Sequence, residues 1–172
     1  IWLSDTVFYT SPFSFSARFK KSKIMPAGID AEVFKRDGQI PKIPHSVLYA
    51  GRFSPVKNVD VLVEAASLLD KQGMDFTINI VGQPGDDEID NFQKIKTLAK
   101  DLEARGKIRF LGKVTNNQLP AVYNQNDIFV NLTQAGSFDK TILEAMACQN
   151  IVLVSNPAYQ EIFPKDLQEI LI

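Results

Sequence analysis

From about residue 47 onward, short apolar runs alternate with longer stretches whose apolar residues recur at helical spacing. Val47-Leu48-Tyr49-Ala50 and residues 76–81, 108–111, 128–132 and 151–154 are compact runs rich in β-branched and aromatic side chains, and they predict strands. Between them the spacing predicts a helix over residues 59–70, with Val61, Leu62, Ala65, Leu68 and Leu69 on one face. A second helix is predicted over 89–104, with Phe92, Ile95, Ala99 and Leu102 on one face and Gly106 just past its end. Shorter helices are predicted over 117–124, with Pro120 near the first turn, over 141–148, and near 159–163. The apolar run Glu169-Ile170-Leu171-Ile172 reads as a further strand. Residues 1–44 lack this rhythm and read as irregular. Within them Ser11-Pro12-Phe13-Ser14-Phe15-Ser16 is a loop or short helix, and Ile24-Met25-Pro26-Ala27-Gly28-Ile29-Asp30 a short extended piece ending in a glycine turn. Gln39-Ile40-Pro41-Lys42-Ile43-Pro44 is a linker, because its prolines disfavour helix on either side.

Strands that alternate with helices imply crossover connections and a parallel sheet covered on both faces. The expected fold is therefore α/β, a Rossmann-like doubly wound parallel sheet of about six strands. The expected division is a tail and linker over 1–44 and one domain over 45–172. Both ends read as cut: the chain starts at Ile1-Trp2 without a methionine, and it stops on an apolar run.

Composition narrows the function. The chain is 45% hydrophobic and 23% charged, as in a globular domain. The formal net charge of −1 gives no broad pull toward nucleic acid, so none is expected as a partner. One cysteine, Cys148, permits no internal disulfide and fits a reducing compartment; it reads as a buried small side chain. One histidine, His45, excludes a multi-histidine metal site and reads as a surface linker residue. No apolar run approaches the roughly 20 residues of a membrane helix. Trp2 and the Phe13, Phe15 pair are expected to pack the tail onto the domain.

On a doubly wound sheet, ligands bind beyond the carboxyl ends of the strands, so the loops there carry the candidate chemistry. After the first strand, Gly51 permits a sharp turn, and Arg52 and Lys57 set two cations beside a helix amino end, a clamp suited to a diphosphate. Solvated loop charges are the competing reading. After the second strand, Val81-Gly82-Gln83-Pro84-Gly85 is neither a GxGxxG fingerprint nor a P-loop. Asp86, Asp87 and Glu88 behind it read as a plain acidic turn. After the third, Gly112-Lys113-Val114 could bring main-chain groups to the edge of a base. After the fourth, a small-residue loop leads through Phe138, Asp139, Lys140 and Thr141 into a helix whose amides could meet a phosphate or sugar hydroxyl. Glu144, amid Leu143, Ala145, Met146 and Ala147, needs a partner; its carboxylate could accept hydrogen bonds from two ribose hydroxyls.

Taken in order, these segments resemble a known family. Gly51-Arg52-Phe53 with Lys57-Asn58 is similar to the GR-x-x-x-x-K segment of family-4 retaining glycosyltransferases. Phe110-Leu111-Gly112-Lys113-Val114 resembles their F-L-G-x-V segment. The run from Ser137 through Glu144 to Cys148 resembles their E-x7-E region. Lys23-Ile24-Met25-Pro26-Ala27-Gly28-Ile29-Asp30 with Phe34 resembles the segment that joins their two domains. The resemblance implies the donor-binding half of a GT-B enzyme. Arg52 and Lys57 would hold the diphosphate and stabilise the leaving group. Glu144 would bind the ribose, and Lys113 and Val114 the base. Gly51, Gly82, Ser137, Phe138, Asp139, Lys140 and Thr141 would complete the donor site.

It further implies transfer of a sugar, with retention, from a UDP- or GDP-sugar to a hydroxyl acceptor. That acceptor, a sugar or lipid-linked sugar, would lie on the missing N-terminal domain. No metal cofactor is implied. Such enzymes usually build surface polysaccharide or glycolipid in the cytoplasm, some in peripheral association with the cytoplasmic face of a membrane. The sequence departs from the family at Gly136, where the first acidic residue is expected, and at Asp139, where glycine is common. Asp139 could supply the missing carboxylate to the sugar. An inactive nucleotide-sugar-binding module and a two-domain epimerase are the alternatives.

Overall fold

The computed structural model describes residues 3–25, 27–134, 138–159 and 163. Its centre is a five-stranded parallel sheet built from β3 (Ile43–Ala50), β4 (Thr77–Val81), β5 (Ile108–Gly112), β6 (Asn126–Asn131) and β7 (Ile151–Val154), in the order β5-β4-β3-β6-β7. The chain moves outward from β3 to β5, then returns to place β6 on the other side of β3. The crossovers are α1 (Val59–Lys71), α2 (Ile89–Ala104), α3 (Leu119–Gln125) and α4 (Lys140–Ala147). This is the Rossmann-like doubly wound arrangement that the sequence predicts. The expected last strand over 169–172 lies outside the described residues, as do Trp2 and residues 160–162 of the expected short helix.

Each central strand is apolar on both faces because both faces are covered. In β3, Leu48 and Ala50 face a core formed with Tyr123, Phe129, Ile142, Ala145 and Val152, while Tyr49 faces one formed with Val63, Ala66, Ile80 and Ile95. Full burial of side chains of this size stabilises by roughly 1.5–3 kcal/mol each. Cys148 belongs to the first core, and burial pushes its thiol up to about 11, so it is an inert apolar filler.

Three expectations need correction. The buried face of α1 is Val59, Leu62, Val63 and Ala66, while Val61 and Leu68 are exposed. The helix is rotated by about one residue from the predicted stripe because apolar residues occur nearly all round it, and the fit against β3 and β4 selects among them. The tail is also more ordered than predicted. β1 (Val7–Tyr9) and β2 (Ser22–Ile24) pair in parallel, in register Val7 with Ser22 and Tyr9 with Ile24, around a 3-10 turn at Phe15–Arg18. Phe13 and Phe15 are exposed rather than packed on the domain, and the Arg18 guanidinium lies 4.4 Å from the Phe15 ring centroid. Finally, the presumed linker residues Ile43 and Pro44 open β3, where the pairing with β6 slips between Ile43 and Val47 and His45 takes φ 57°. Proline is tolerated there because it stands at the irregular entrance to the strand. His45 is otherwise exposed, as expected.

Candidate functional site

A doubly wound sheet has a crevice where consecutive crossovers run in opposite directions, here at the carboxyl ends of β3 and β6. The loop after β3 carries Arg52 and Lys57, and the loop after β6 leads to Asp139 and α4. The side chains join the two loops: Asn58 Nδ2 donates to Leu132 O at 2.8 Å, and Lys57 Nζ donates to Asp139 Oδ2 at 2.6 Å.

The loop after β3 is braced through its backbone. Tyr49 Oη donates to Arg52 O at 2.6 Å, and Asn91 Nδ2 donates to Phe53 O at 2.6 Å. Phe53 is buried against Phe92, with ring centroids 4.6 Å apart. Gly82 makes this packing possible. It has φ +145°, and a Cβ there would fall 1.9 Å from Gly51 O. Glu88, read from sequence as a plain turn acid, is the missed residue of this wall. It is 2% exposed; its Oε2 accepts from Phe53 N at 3.2 Å and Gly85 N at 3.0 Å, and its Oε1 stands 3.6 Å from the Arg52 guanidinium. A glycine followed three residues later by glutamate at a helix start was the signal that could have found it.

The opposite wall begins at Asp139, the N-cap of α4. Its Oδ1 accepts from Thr141 N at 3.3 Å and Thr141 Oγ1 at 2.7 Å, and its Oδ2 accepts from Asn131 Nδ2 at 2.9 Å as well as from Lys57. Burial alone would raise this carboxyl, but the Lys57, Thr141 and Asn131 donors outweigh burial and hold it below the ordinary carboxylate range. The Phe138 ring packs on Tyr159, whose hydroxyl donates to Asp139 O at 2.7 Å.

Gly51, Arg52, Gly82, Lys113, Val114 and Thr141 line one recess, so the structure brings together six of the residues expected in the site. Glu144 lies one turn beyond Thr141 on the same side of α4 and opens onto the adjoining recess with Asp30, Phe34 and Asn117. It is half-buried, and Tyr123 Oη donates to its Oε2 at 3.0 Å, the partner that its apolar neighbours demanded. Burial raises the Glu144 carboxyl; the Tyr123 hydroxyl partly counters this and the charge of Asp139 adds to it. Lys140 points to solvent. Two amides expected to face a ligand have partners within the chain: Phe138 N donates to Thr10 Oγ1 at 3.3 Å, and Thr141 N to Asp139. Ser137 and Gly136 lie outside the described residues. Among the described residues no group of three or more His, Cys, Asp or Glu side chains could hold a metal ion, and no helix is long and apolar enough to cross a membrane.

With this geometry established, known proteins supply a frame. The family model for glycosyl transferases group 1 matches residues 30–163. A D-inositol 3-phosphate glycosyltransferase of Salinispora arenicola is 30% identical over 120 residues, 67% of this chain and 27% of that protein. One of the same name from Pseudarthrobacter chlorophenolicus is 28% identical over 151 residues, 82% of this chain and 35% of that protein. The chain thus spans about a quarter to a third of the length of such relatives. Among solved structures, Anabaena Alr3699/HepE in complex with UDP-glucose superposes with a TM-score of 0.78 at 20% identity, over 94% of this chain and 48% of that one. The C-terminal domain of the glycosyl transferase group 1 family protein LpcC of Francisella tularensis superposes with a TM-score of 0.69 at 25% identity, over 81% of this chain and 76% of that one.

Proposed function

Because the chain belongs to the glycosyl transferases group 1 family, we propose that it is the donor-binding domain of a retaining glycosyltransferase that moves a sugar from a UDP- or GDP-sugar to a hydroxyl acceptor. The observation that carries this reading is the meeting of Arg52 and Lys57 with the amino end of α4 at the β3–β6 crevice. A diphosphate in that crevice faces two cations and a helix amino end, all of which favour anions. When the bond between the sugar and the distal phosphate breaks, negative charge grows on the leaving diphosphate. Arg52 and Lys57 are the groups that stabilise it, so the step needs no metal. The two recesses together suit the nucleoside. Glu144 accepts hydrogen bonds from the ribose hydroxyls, and the main chain at Lys113 and Val114 faces the base. Support comes from the Anabaena neighbour, whose structure holds UDP-glucose. The acceptor, a sugar or lipid-linked sugar, is assigned to a second domain across the cleft.

Calorimetric titration with UDP and with GDP tests the reading. One of the two nucleotides is expected to bind, and Arg52→Ala or Lys57→Ala to weaken it at least about tenfold, the loss of one charge-assisted hydrogen bond. Binding of neither nucleotide overturns the assignment.

A further inference from the structure

Asp139 stands at the amino end of α4, paired with Lys57 of the proposed donor site, yet its carboxylate has nothing left to offer a ligand. A carboxylate has about four acceptor positions. Here four donors fill them: Lys57 Nζ and Asn131 Nδ2 on Oδ2, Thr141 N and Thr141 Oγ1 on Oδ1. Three of these donors belong to β6 and to α4 itself, and the main-chain oxygen of Asp139 is held by the buried Tyr159 hydroxyl. The residue is therefore fixed from β6, α4 and the turn after β7, whether or not Lys57 is present. Lys57 is different: it stands on a 3-10 turn with no buried residue, and among the described residues its ammonium has one partner, Asp139. An ammonium has three N–H donors, and one is used here, which leaves two.

We infer that Asp139 is a positioning residue, which anchors the Lys57 ammonium across the β3–β6 crevice so that its two remaining N–H groups meet the diphosphate, and that Asp139 does not itself contact the sugar. A flexible lysine stem loses rotamer freedom when a ligand captures it; one already held by Asp139 has lost that freedom on folding. The carboxylate also lessens the net attraction for a dianion, so its benefit appears only through Lys57. This inference rests on the proposed donor site.

The test is a double-mutant cycle read by calorimetry with UDP and GDP. Lys57→Ala is expected to weaken binding about 30-fold in the parent protein but about threefold or less in the Asp139→Asn background, because the lysine is no longer aimed. Asp139→Ser repeats the cycle with a good helix cap and no carboxylate, and covers the case in which the asparagine variant fails to fold. Equal losses in both backgrounds overturn the inference while leaving the donor site intact. Tighter binding by Asp139→Asn alone overturns it by showing that Asp139 competes with the diphosphate. If the parent protein binds neither nucleotide, the donor reading itself falls, and this inference with it.

Discussion

The two cations after β3 are held in opposite ways. At Arg52 the backbone is fixed and the side chain is loose: Tyr49, Glu88 and Asn91 clamp the main chain around it, while the side chain is 72% exposed and its nearest carboxylate oxygen is 3.6 Å away. At Lys57 the side chain is fixed, 20% exposed and 2.6 Å from Asp139, although its own turn buries little. Each cation has one carboxylate, but Glu88 serves the loop's main-chain amides and Asp139 serves the lysine head. The contrast teaches that a clamp can be preorganised from either end. Arg52 can swing onto a ligand from a rigid base, while Lys57 is already aimed.

The largest effect is expected at the base of the Arg52 wall. Gly82→Ala puts a Cβ 1.9 Å from Gly51 O in a backbone conformation that L residues rarely adopt. A loss of about 3–5 kcal/mol is expected in denaturant titration, with the Gly51 loop displaced. If the loss is below about 1 kcal/mol, the close approach of the two loops is not what fixes Arg52.

Next comes Glu88→Ala, which leaves the amides of Phe53 and Gly85 without their acceptor. About 2–3 kcal/mol of stability is expected to go, whereas Arg52→Ala changes stability by less than about 0.5 kcal/mol, because its pairing is exposed. Equal losses for the two variants would mean that Glu88 acts through the guanidinium rather than the main chain.

The Lys57 wall gives the smallest change, and one that depends on pH. The Asp139 carboxyl is held below its unfolded value, so its stabilisation is complete above about pH 4 and disappears as pH falls through the lowered native value. Asp139→Ala is expected to lose about 2 kcal/mol at neutral pH, part of it the helix cap. The melting-temperature gap to the parent should narrow as pH drops below about 4. A gap that stays constant down to acid unfolding would show that the ion pair contributes nothing to stability.

Much of this was legible in the sequence, for identifiable reasons. The bounds of α2 (Ile89–Ala104) and β7 (Ile151–Val154) match their apolar patterns because each has an unambiguous period and a clear stop. The recess residues Gly51, Arg52, Gly82, Lys113, Val114 and Thr141 were found because strand ends locate the crevice of such a sheet. What was hidden depends on contacts distant along the chain. Glu88 meets Phe53 from 35 residues away, and in sequence it is one of three consecutive acids. Asp139 reads as free for a sugar because Lys57 is 82 residues away, on the turn after β3, and Asn131 meets it across the loop after β6. The α1 face was misread because Val61 and Leu68 are as apolar as the residues that are buried.

A structure of the protein with bound UDP or GDP tests the central claim most directly. The account predicts the diphosphate at the carboxyl ends of β3 and β6, within hydrogen-bonding distance of both the Arg52 guanidinium and the Lys57 ammonium, with Asp139 still on Lys57. A nucleotide seated instead in the recess between the 33–40 segment and α3, beside Arg36 and Asn124, would contradict it.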